Sequence, residues 1–66
     1  MASGTRGRLK EHIVGVHKNC EWIQNHCMDS VKLLGDGYEQ HRKSFELLHE
    51  LAVTLDEFAG SLHNKL

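Results

Sequence analysis

The stretch "KLLGDGYEQH", Lys32 to His41, is where two glycines flank an acid near the middle of a 66-residue chain that contains no proline. Gly35 suits the left-handed residue that closes a helix, and Asp36 can cap the helix that follows. Both neighbouring segments carry helix periodicity. Upstream, the three-four spacing picks out Leu9, Ile13, Val16, Cys20, Ile23, Cys27, Ser30 and Leu34. Downstream it picks out Tyr38, His41, Phe45, Leu48, Ala52, Leu55, Ala59, Leu62 and Leu66. Each series is a heptad seam over about four repeats, in segments rich in good helix formers.

The sequence therefore predicts an all-α fold: a coiled-coil-like antiparallel two-helix hairpin, with helix one at about 8–34, a turn at 35–37 and helix two at about 38–64. So short a break makes the helices antiparallel neighbours. Pairing positions around the turn sets Cys27 against Phe45, Cys20 against Ala52, Ile13 against Ala59 and Leu9 against Leu62. The expected hairpin core is Ile13, Val16, Cys20, Ile23, Cys27 and Leu34 of helix one with Phe45, Leu48, Leu55 and Leu62 of helix two. Charge agrees with this pairing. Helix one, with Arg6, carries five bases against three acids; helix two, with Asp36, carries three bases against six acids.

Residues 1–7, "MASGTRG", are small and polar without periodicity and read as a disordered linker, leaving 8–66 as the helical hairpin. The seam runs to Leu66 without a cap signal, as expected of a piece of a larger protein.

A chain this short buries little surface, and two helices cannot enclose a core. Leu33, Leu51 and Phe58 stand beside the seam with no partner inside the hairpin, and Val14, Trp22, Met28, Leu47 and Val53 add further apolar surface on its flanks. A stripe this wide is what a bundle of more than two helices requires. Two hairpins dimerising into a four-helix bundle are the simplest completion. Leu33, Leu51, Phe58, Trp22 and Met28 form the expected interface, and the partner is a second copy or another helical protein.

Other classes find less support. A net charge of −1 with no basic stripe argues against nucleic acid. No apolar run reaches the roughly 18 residues of a membrane span, so no membrane insertion is expected. Two cysteines without a secretory signal point to reduced thiols in an intracellular setting, cytoplasmic rather than nuclear. Ser30 and Ser44 have no base with an orienting partner, "GDG" is not a phosphate loop, and the expected seam holds no Glu-x-x-His pair, so no catalytic residue is assigned.

Six histidines raise the question of metal. His17 and Cys20 share a helix face, and the register brings Asp56 opposite, so these three are the candidate ligands. Without Cys-x-x-Cys or His-x-x-x-His, the cysteines read as small core residues and no metal or cofactor is expected. His17 with Asp56, and Gln24 with His49, read as polar contacts along the hairpin edge. The functional expectation is a non-catalytic oligomerisation or protein-interaction module of an intracellular scaffold, adaptor or regulatory protein. The alternative is a small metal- or cofactor-binding bundle using His, Cys and Asp side chains.

Overall fold

The computed structural model describes residues 3–66 of the chain. They form two α-helices, α1 at Ser3–Leu34 and α2 at Glu39–Lys65, packed side by side along their length. Among the described residues there is no strand.

Gly35 terminates α1 with φ of +62°, the left-handed conformation that glycine adopts without steric cost. The second helix starts differently from the expectation. Its N-cap is Tyr38, which makes no side-chain cap, while Asp36 lies in the turn with its carboxylate 3.8 Å from Arg42. The first helical hydrogen bond of α2 runs from the Arg42 N–H to the Tyr38 carbonyl at 2.9 Å.

Helix one also begins earlier than position 8. Residues 3–7 are helical, because extending an existing helix adds one backbone hydrogen bond for each residue fixed and no proline stops it. Residues 1 and 2 of the expected linker lie outside the described residues.

The molecule measures 54 × 15 × 11 Å, and its shortest dimension is one helix diameter. Its radius of gyration is 15.6 Å, against about 11 Å for a globular chain of this length. The hairpin is a single open layer, with two broad faces that nothing else among the described residues covers.

The line of contact between the helices is narrow. Ile13, Cys20 and Cys27 on α1 and Ala52 and Ala59 on α2 are buried, each series stepping by seven residues. Leu34 and Phe45 are half-buried at the turn end of the same line. The side chains are small where the helices meet, and Cys20 is only 1 % exposed. Both cysteines are free thiols. Burial, and secondarily the charge of Asp56, pushes the Cys20 thiol above its usual range, so it stays protonated and packs as an apolar group.

The other half of the expected core is placed differently. Val16, Ile23, Leu48, Leu55 and Leu62 are 39–51 % exposed, far more than the residues of the contact line. Each lies three positions beyond a residue of the contact line, on one flank of its helix. Four positions beyond the line lie His17, whose side chain is half exposed, and Gln24 and Val31 on α1 with His49, Asp56 and His63 on α2, which are half-buried. The helices are thus rolled so that the polar flank leans toward the partner helix and the apolar flank away from it. A stripe wider than one helix contact cannot turn wholly inward in a pair.

Candidate functional site

Antiparallel packing puts equivalent flanks of the two helices on the same side of the layer. One face therefore collects the positions three beyond the contact line, with those next to them. On α1 these include Leu9, Val16, Ile23 and Leu33; on α2 they include Leu48, Leu51, Leu55, Phe58 and Leu62. Every one of these side chains is exposed, Phe58 at 71 % and Leu33 at 87 %.

The polar residues of that face are His12, Asn19, His26 and Ser30 on α1 and His41, Ser44 and Lys65 on α2. No aspartate or glutamate stands among them. Ser30 turns its hydroxyl back to the His26 carbonyl at 2.7 Å, and Ser44 does the same to Gln40 at 3.1 Å, so both hydroxyls are satisfied within their own helix.

The opposite face mixes ionisable groups with Val14, Met28 and Val31. The His17 Nδ1–H donates to Asp56 Oδ1 at 2.6 Å across the two helices, and His17 Nε2 lies 3.1 Å from Glu21 on its own helix. Both ring nitrogens therefore face carboxylates. The hydrogen bond to Asp56, then that carboxylate's charge, with Glu21 adding, raises the His17 pKa above the ordinary histidine value. Toward the turn, Cys27, Val31 and Phe45 floor an open groove of about 500 Å³ whose walls include Met28, Lys32, Glu46, His49 and Glu50.

The expected interface residues consequently divide. Leu33, Leu51 and Phe58 share the acid-free apolar face. Met28 lines the groove on the other side. Trp22 is 67 % exposed on the solvent side of α1, away from α2, with its ring 5.6 Å from that of His26. The residues that complete the apolar face are Val16, Ile23, Leu48, Leu55 and Leu62, which the heptad pattern assigns to the hairpin core. Their signal was present in that pattern, but it does not say which neighbour a seam position faces.

Of the three candidate metal ligands, His17 and Asp56 come together as a hydrogen-bonded pair, while Cys20 is enclosed in the contact line. Glu46 and His49 have the Glu-x-x-His spacing of carboxylate metal bundles, where such pairs point into the core; here they line the open groove. Among the described residues, no group of three or more His, Cys, Asp or Glu side chains is placed to hold a metal ion. Nor is any described helix long and apolar enough to cross a membrane. Compared with known proteins, the chain matches no family model, no curated protein and no solved structure.

Proposed function

We propose that this hairpin is a non-catalytic association module, which joins protein chains by burying its apolar face against further helices to complete a four-helix bundle. Such a module suits a scaffold, adaptor or regulatory protein. One observation carries the reading: Leu9, Val16, Ile23 and Leu33 of α1 and Leu48, Leu51, Leu55, Phe58 and Leu62 of α2, nine of the exposed large apolar side chains, lie together on one side of a layer one helix thick. A helix with one neighbour needs only a narrow apolar line, whereas a helix in a bundle directs a wider stripe between two neighbours. Here the buried line faces the hairpin partner and the rest of the stripe points out of the layer. The metal-binding alternative has less support, since His17 and Asp56 are engaged with each other and Cys20 is enclosed in the contact line.

Thermal melting at several protein concentrations tests the reading. Association through folded helices makes the midpoint rise with concentration. Leu55→Glu, which introduces a charge on the apolar face, should abolish that dependence, and Trp22→Glu, on the solvent side of α1, should preserve it. A midpoint independent of concentration in the parent, with no partner chain present, would contradict self-association; equal effects of both variants would contradict the assignment of the face.

A further inference from the structure

We propose that a second copy of the chain covers the apolar face, the two hairpins being related by a twofold axis parallel to the helices, so that α1 of each lies on α2 of the other and both turns sit at the same end. The inference rests on the association reading above and adds the partner and its pose.

Three observations point to a second copy in this pose. The first is area: the chain exposes 5394 Å², about 1,100 Å² more than the roughly 4,250 Å² of a compact monomer of 7.5 kDa. That excess is comparable to the ~800 Å² each partner contributes to a stable interface. The second is charge. In a twofold contact the same patch meets itself, so any acid on the face would be brought near its own copy. Among the described residues the face carries no aspartate or glutamate, and Lys65 is its one permanently charged side chain.

The third observation is the match of residues at each height along the hairpin. The register that joins His17 to Asp56 places Leu9 level with Leu62, Val16 with Leu55, Ile23 with Leu48, and Ser30 with His41. An axis parallel to the helices preserves height, so each level meets itself. Three apolar layers then stack on apolar layers along the inner part of the face, and the Ser30–His41 level meets its own polar copy near the turns. His12, Asn19 and His26 fall at the heights of Phe58, Leu51 and Ser44 of the copy along the outer rim of the contact, where they keep access to water. An axis perpendicular to the helices through the middle of the face would reverse the heights. Leu9 and Leu62 would then be set against Ser30 and His41 of the copy, burying polar groups against leucine without a partner.

Spin-label distances decide between these poses. Asp36→Cys labels the exposed turn and Asn64→Cys the exposed open end; the parent, labelled identically, reports any reaction at the buried Cys20 and Cys27. Circular dichroism and sedimentation of each labelled variant establish that it is helical and dimeric. The proposed pose gives an inter-copy distance of about 20 Å at both sites, set by helix separations of 8–10 Å and the label arms. Distances near 40 Å or more at both sites, the length of α2, would overturn the pose while leaving the association reading standing. A helical monomer with no inter-copy signal in the parent and both variants would overturn the second copy itself.

Discussion

His17 and Asp56, 39 positions apart in sequence, meet at 2.6 Å on the face of the hairpin opposite the exposed leucines. This contact fixes the register between the helices, and it is also where the protein should respond to pH. The folded pKa of His17 is raised, so the favourable interaction is fully present below the unfolded value of about 6.5 and is lost as pH rises through the folded value. At fixed protein concentration the parent should lose stability between about pH 6.5 and the folded pKa. Asp56→Asn should flatten that dependence and lower the His17 pKa followed by NMR. An unshifted His17 titration in that variant would remove Asp56 as the cause.

Close approach of the helices depends on Ala52 and Ala59 lying opposite Cys20 and Ile13. Ala52→Leu inserts bulk into the tightest part of the contact line and should cost about 1–3 kcal/mol in chemical denaturation. Leucine introduced at Thr54, exposed on the outer side of α2, is the control and should change stability by no more than about 0.5 kcal/mol. If the two variants unfold alike, the contact line does not run through Ala52.

At the turn, Gly35 holds φ of +62° with no atom within 4 Å of where a Cβ would stand. Gly35→Ala should therefore cost about 1–2 kcal/mol through backbone conformation alone, without a clash. Gly37→Ala provides the comparison, since Gly37 lies in the same turn without a positive φ. Equal losses for the two would show that the left-handed residue is not what sets the turn.

Much of the architecture is legible in the sequence because it rests on local signals. A glycine at the end of one periodic run and the absence of proline give two helices and a hairpin, and the seven-residue series through Ile13, Cys20 and Cys27 locates the line of contact. The roll of the helices is not legible. Val16 and Ile23 satisfy the heptad as well as any core residue, and only the number of neighbouring helices decides whether such a position faces its partner or the open side. The N-terminal boundary was obscured because glycine and small polar residues favour a helix too weakly to show where it starts. His17 with Asp56 could be read from register alone, whereas Gln24 and His49, paired by the same arithmetic, form no hydrogen bond among the described residues.

Sedimentation equilibrium of the parent chain beside Phe58→Asp tests the central claim most directly. Burying an unpaired carboxylate in the assembled state is costly, while the same group on a separated hairpin stays in water. At tens of micromolar the parent should sediment with twice its 7.5 kDa mass, and Phe58→Asp should move toward 7.5 kDa while remaining mostly helical at high concentration. A parent that is fully helical and 7.5 kDa throughout that range, unchanged by Phe58→Asp, would contradict the account.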